Sequence, residues 1–283
     1  MFEAEFAGYL PELKAYEDYL TSCVFGALKY LPPNKGLLPV LAAATNHRLG
    51  ISLGDHCERE GIELKGISEA HFIFWPRCSG PRPSVPDLVV ILQGGPHSFI
   101  VPIEVKYFAG KHGEEEDDQL VRYYQVTRTA RARKAFGNDR IRRFSGELLA
   151  VVYVTQFAAK HEIEATLRQL ESEGQTEAYK KVFHLRWQHL YTVTKRLLQS
   201  TENTSRERIL ADIARLLEHK HLKPFAGFPK LPSELSTEAL PLRPVFLESP
   251  ERSMHRFLGF SALPSGLSRQ ALCGRPVFLE PSG

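Results

Sequence analysis

No CxxC pair occurs in the chain, and its four cysteines, Cys23, Cys57, Cys78 and Cys273, lie far apart. Such spacing fits neither a disulfide framework nor a closed structural zinc site, although His56 and His71 stand near Cys57 and Cys78. Free thiols in a reducing compartment are the expectation. No apolar run approaches the roughly 20 residues a membrane span needs. The acidic opening "MFEAEFAGYLPELKAYE" lacks the basic and apolar regions of a signal peptide, so a cytoplasmic protein with no membrane partner is expected. Charge of one sign is also missing. The formal net charge of the 283 residues is only +3, which rules out an overall basic coat, though not a patch.

Basic residues do cluster, in "RYYQVTRTARARKAFGNDRIRR" (Arg122–Arg143), where Asp139 is the sole acid. Apolar residues make up 43% of the chain, enough for a substantial core. Leu13, Tyr16, Leu20, Val24, Leu28 and Leu31 recur at helical spacing, and Pro32-Pro33 stops that helix. A second helix is expected over Gly36–Leu49 and a strand within Glu63–Trp75. "PDLVVILQGGPHSFIVPIEVKY" reads as a hairpin, with Asp87–Leu92 and Ser98–Tyr107 flanking a Gly-rich turn. Asp117–Phe136 and Glu162–Glu173 read as helices, and the apolar run Glu147–Thr155 as a strand buried on both faces. A short strand, "KVFHLRW", and helices over Gln188–Gln199 and Arg206–His219 complete an α/β pattern: a mixed sheet with helices on its faces.

Beyond Pro224 the composition shifts to Pro, Ser and Leu. "FAGFPKLPSELSTEALPLRPVFLE" (225–248) aligns without gaps on "FLGFSALPSGLSRQALCGRPVFLE" (257–280), with 16 of 24 positions identical. This divides the chain into residues 1–223 and a tail, 224–283, of two repeats. Neither repeat can bury its own apolar residues, so a protein partner or a second copy of the chain is expected there.

The chemistry centres on Glu104-Val105-Lys106. Alternation along a strand puts Glu104 and Lys106 on one face at the end of an apolar run. Asp87 opens the preceding strand and can reach the same end. Two carboxylates and the Val105 carbonyl make an oxygen-rich pocket suited to Mg²⁺, and a lysine beside it can orient or help deprotonate a water. The bland alternative is a surface ion pair on a half-exposed strand end. Gln119 and Tyr123, four apart, then share one face of the following helix.

In this order the motifs resemble the PD-(D/E)XK nuclease superfamily, with its restriction-endonuclease-like fold. Pro86-Asp87 and Glu104-Val105-Lys106 match its signature, and Gln119 with Tyr123 resembles the QxxxY motif of the RecB-like branch. The first helix, "YEDYLTSCVFGALKYL", is similar to the family's first core helix, with Glu17 four before Thr21; Glu12 and Asp18 are rivals to Glu17. The resemblance spans roughly Tyr16–Tyr191 and implies Mg²⁺-dependent hydrolysis of phosphodiester bonds, with Mn²⁺ able to substitute.

It implies that Asp87, Glu104, Val105 and Glu17 hold the metal, that Lys106 positions the attacking water, and that Gln119 acts near the metal or substrate. DNA is the implied partner, RNA is not excluded, and restriction, anti-phage defence and repair are all open as settings. Lys111, Arg122, Tyr123, Arg128 and Arg131 are candidates for the nucleic-acid surface. The acid run Glu114–Asp118 reads instead as an exposed helix N-terminus. A catalytically silent nuclease fold, assembling through the repeats, is the alternative from a different class.

Overall fold

The structure, a computed structural model, describes residues 17–79, 83–95, 97–107, 118–201 and 203–225. The acids before Asp118, Lys111 and most of both repeats lie outside these residues. Among them, no helix is long and apolar enough to cross a membrane.

Helix α1 (Glu17–Leu28) buries Leu20, Val24, Phe25 and Leu28, the helical-period residues of its sequence. Helix α2 (Leu37–Ala42) is much shorter than the expected Gly36–Leu49. Asn46 explains the difference. Its side-chain oxygen accepts from the amides of Arg48 and Leu49, and its nitrogen donates to the carbonyls of Tyr179 and Val182. The side chain thus draws the backbone into a turn rather than a further helical turn. On either side of that turn, strands β1 (Thr45–Asn46) and β2 (Ile51–Ser52) pair antiparallel. Helix α3 (Leu53–Arg59) follows, opened by a capping box between Ser52 and Asp55.

Strands β3 (Glu69–Phe74), β4 (Leu88–Gly94) and β5 (His97–Val105) form an antiparallel meander. Gly94 takes φ +151° at the hairpin turn, and a Cβ there would sit 2.4 Å from the Gly66 carbonyl oxygen, so only glycine fits. After helix α4 (Gln119–Thr127) and the short α5 (Asp139–Arg143), the chain returns parallel to β5 as β6 (Glu147–Leu148) and β7 (Val151–Thr155). These two are the expected single strand, interrupted at Leu149-Ala150, where the register against β5 slips by one residue. Helix α6 (Lys160–Ser172), strand β8 (Val182–Arg186), helix α7 (Trp187–Gln199) and helix α8 (Thr204–His219) follow.

The mixed sheet runs β2-β1-β8-β7-β5-β4-β3, with β6 also on β5. Its two faces carry separate cores. Alternate residues such as Val101, Ile103, Val152 and Val154 pack with α1, α2, α7 and α8. The intervening ones, such as Ile91, Ile100, Val151 and Tyr153, pack with α4, α5 and α6. This is an α/β domain with helices on both faces of an open sheet. Cys57 belongs to the first core and Cys78 to the second, so the sheet itself separates two of the cysteines that a zinc site would need together. Cys23, Cys57 and Cys78 are free thiols, all buried.

The expected helix over Asp117–Phe136 is corrected to α4 alone, followed by a turn and a 3-10 turn over Ala132–Ala135. Arg133 accounts for the break. Fully buried, its guanidinium donates to the carbonyls of Thr127, Phe144 and Gly146 at 2.6, 3.1 and 2.7 Å. The last carbonyl of α4 is therefore satisfied from outside the helix.

Candidate active site at the carboxyl edge of the sheet

Strand β5 is where the sheet changes character: its neighbour β4 is antiparallel and its neighbour β7 parallel. In open α/β sheets, ligands bind in crevices outside the carboxyl ends of the strands. Glu104, Val105 and Lys106 occupy that end of β5. The register sets Leu88 opposite Ile103, so Asp87 enters β4 directly beside Glu104. One Asp87 carboxylate oxygen accepts the Val105 amide at 2.8 Å.

Glu104 and Lys106 are 2% and 6% exposed, so the ion pair is not the surface pair that the bare motif allowed. The Lys106 ammonium lies 2.9 Å from Glu104 Oε1 and 3.1 Å from Glu17 Oε2. The other Glu17 oxygen accepts the Tyr107 amide at 3.3 Å. From α4, the Tyr123 hydroxyl donates to Glu104 Oε2 at 2.9 Å, with the Val85 carbonyl at 3.3 Å. Behind the site, Trp187 is fully buried and its indole donates to the Lys106 carbonyl at 3.1 Å. Asp87, Glu104, Lys106, Glu17 and Tyr123 are thus brought together from two strands and two helices.

Burial and the neighbouring Glu104 carboxylate push Asp87 up to about 8, against which the Val105 amide and Lys106 act only partly. Glu104 is also raised by burial, with Lys106 and Tyr123 opposing. Burial alone would pull Lys106 down, but Glu104 and Glu17 outweigh it and hold the ammonium up to about 12. Two crowded, desolvated carboxyls with raised affinity for a proton are also a place where a cation is welcome. Among the described residues, no three His, Cys, Asp or Glu side chains form a ready-made metal cage. The available donors are Asp87, Glu104 and the Val105 carbonyl. That sparse set suits Mg²⁺, which is held by one or two carboxylates and keeps water and phosphate oxygens as its other ligands.

Several expectations need adjusting. Glu17, expected as a metal ligand, directs its oxygens to Lys106 and Tyr107. Tyr123, expected at the nucleic-acid surface, is 1% exposed and supports Glu104 instead. Gln119 opens α4 one turn before Tyr123, and among the described residues its buried Oε1 has no hydrogen-bond partner. Arg122 donates to the Pro83 carbonyl, while Arg128 and Arg131 are exposed, Arg128 bonding Gln175. Asp118 is not an exposed acid: 8% accessible, it caps α4 through the amides of Leu120 and Val121 and accepts the Thr166 hydroxyl. Asp18, a rival to Glu17, accepts instead from the Trp75 indole. His184 is structural, bonded to His47 and Thr155 and pushed down to about 3 by burial and His47.

No family model, curated protein or solved structure matches this chain. The site is therefore read from its own geometry.

Proposed function

We propose that the chain is a metal-dependent phosphodiesterase of the PD-(D/E)XK type, with a restriction-endonuclease-like fold, acting on DNA. The observation that carries this reading is the buried convergence of Asp87, Glu104 and Lys106 on adjacent strand ends, tied to Glu17 and Tyr123. A structural ion pair needs one carboxylate per ammonium. Here an extra buried carboxyl, Asp87, is held against a second one at a cost in stability, an arrangement common at functional sites. The antiparallel β3-β4-β5 meander followed by a parallel β5-α4-β7 crossover agrees with that fold.

Bound Mg²⁺, or Mn²⁺ in its place, would supply Lewis-acid stabilisation of the scissile phosphate and a more acidic water. Asp87 and Glu104 would hold it, with the Val105 carbonyl. Held up to about 12 by Glu104 and Glu17, the Lys106 ammonium would orient a water or donate to charge building on the phosphate. Glu17 and Glu104 fix its ammonium from two sides. Tyr123 keeps Glu104 in place, and the unpaired Gln119 Oε1 offers an acceptor to water or substrate.

The test is cleavage of linear, nicked, single-stranded and branched DNA, and of RNA, with Mg²⁺ or Mn²⁺. Glu104→Ala should lower the rate by about a thousandfold or more while leaving the fold intact by circular dichroism. Equal cleavage by the variant, or none by the wild type with either metal on any substrate, would rule out the catalytic reading and favour a silent assembly subunit.

A further inference from the structure

Trp75, immediately after β3, has a positive φ, +46°; among the described residues only one other non-glycine residue, His221, does so. Left-handed backbone is costly for a bulky side chain, and it persists where surrounding contacts impose it. Burial is not the reason here, because Trp75 is 38% exposed, whereas Trp187 is fully buried. Instead the indole is held at its edge. Its Nε1–H donates to Asp18 at 3.1 Å, its amide donates to the Asp87 carbonyl at 3.1 Å, and Phe74 lies tilted beside it with ring centroids 5.4 Å apart.

The sheet register continues the geometry. Phe74 pairs with Leu88, and Leu88 with Ile103, so Trp75, Asp87 and Glu104 follow one another across three adjacent strands at one edge of the sheet. Neighbouring strands are about 4.8 Å apart, so the Trp75 backbone stands one strand from Asp87 and two from Glu104, while its indole reaches Asp18 on α1. Val85, two residues before Asp87, is 45% exposed.

The charges near Trp75 are acidic: Asp18 on its indole, with Asp87, Glu104 and Glu17 beyond. Asp18 would repel a phosphate beside the indole, whereas a flat, uncharged ring would be accepted; at Asp87 and Glu104 a bound cation would hold the phosphate. We propose that Trp75 is a stacking platform for an unpaired base of the DNA strand whose phosphate lies at Asp87 and Glu104. This rests on the phosphodiesterase reading and adds a substrate class to it: single-stranded or locally opened DNA, because a base inside a duplex cannot present its face.

The chain has two tryptophans. The buried Trp187 gives a constant background, so Trp75 is a built-in reporter. An oligothymidylate of about 12 nucleotides is titrated into wild-type protein with Ca²⁺, a larger hard cation that Asp87 and Glu104 can hold, and the strand is checked afterwards to be uncut. The expected result is quenching of the Trp75 emission, none by an abasic strand of equal length and charge, and little by a blunt duplex. Trp75→Ala should abolish the quench and weaken binding of a labelled strand by roughly tenfold, and Trp75→Phe should recover most of that affinity. Equal quenching by the abasic strand, or unchanged affinity in folded Trp75→Ala, overturns the proposal. Because binding is read apart from turnover, the two readings fail separately. Quenching without cleavage under any metal removes the catalytic reading and leaves the platform; cleavage without quenching removes the platform alone.

Discussion

Asp87 shows at the scale of one residue how a site conflicts with its own fold. Its folded value, about 8, lies above the ordinary 3.8 of a free carboxyl, because burial and Glu104 disfavour its charge. A raised carboxyl favours the folded state below the unfolded value, and that contribution is lost as pH rises from about 4 to about 8. Asp87→Asn removes the titration. In metal-free solution it should stabilise the protein at pH 8 by roughly 2 kcal/mol, with the gain vanishing toward pH 4, as read by urea denaturation across that range. A variant less stable than wild type at pH 8 would mean that the Asp87 charge is compensated in a way its surroundings do not indicate. The residues responsible were legible in the sequence because acids and a lysine at the ends of apolar strands break a simple pattern. Glu17's attachment to Lys106 and Tyr107 was not legible, since it depends on how α1 docks. Trp75 was missed altogether: its only mark is a backbone angle, and "HFIFWP" reads as an ordinary strand end.

Elements with long apolar periods, α1, β4, β5, β7, α6, α7 and α8, were readable from sequence because their packing partners demand that periodicity. Short ones were not. The strands β1 and β2 and helix α3 rest on Asn46, Ser52 and Asp55 side-chain bonds, and the two carbonyls that Asn46 donates to are more than a hundred residues away. The basic run after α4 was misread for a related reason. Arg133 stands in the middle of that basic cluster, but the residue is 1% exposed and its donors go to three carbonyls, with its charge stacked over Phe144. It joins the end of α4 to the loop that leads into β6. Arg133→Met leaves those carbonyls without donors and should cost about 3 kcal/mol, seen as a lower urea midpoint. Arg133→Lys should recover little, because one ammonium cannot span three separated acceptors. Exposed Arg128 and Arg131 make the contrast: their replacement should leave stability within about 0.5 kcal/mol.

At the scale of the whole molecule, the described α/β unit closes on itself before the repeats begin. Leu222 is fully buried, and the Lys220 carbonyl accepts the Tyr107 hydroxyl at 3.0 Å, so the end of α8 is fastened directly behind the candidate site. Three residues later, Phe225 is 76% exposed. A chain ending at Phe225 should therefore keep a cooperative thermal transition within about 3 °C of the full protein, and with it the proposed metal-dependent cleavage. The repeats, 225–248 and 257–280, share 16 of 24 residues, including the whole of "RPVFLE", which suggests two copies of one attachment rather than a linker with incidental similarity. Two equivalent attachments on one chain raise apparent affinity through effective concentration. Deleting 257–280 should accordingly weaken self-association or partner capture by about tenfold or more, while deleting both copies abolishes it. Sedimentation velocity on the three chain lengths reads this directly. Precipitation of the chain ending at Phe225 would point the other way, to repeats that cover apolar surface of their own core, and single-copy deletion would then lower the melting temperature instead of the association constant.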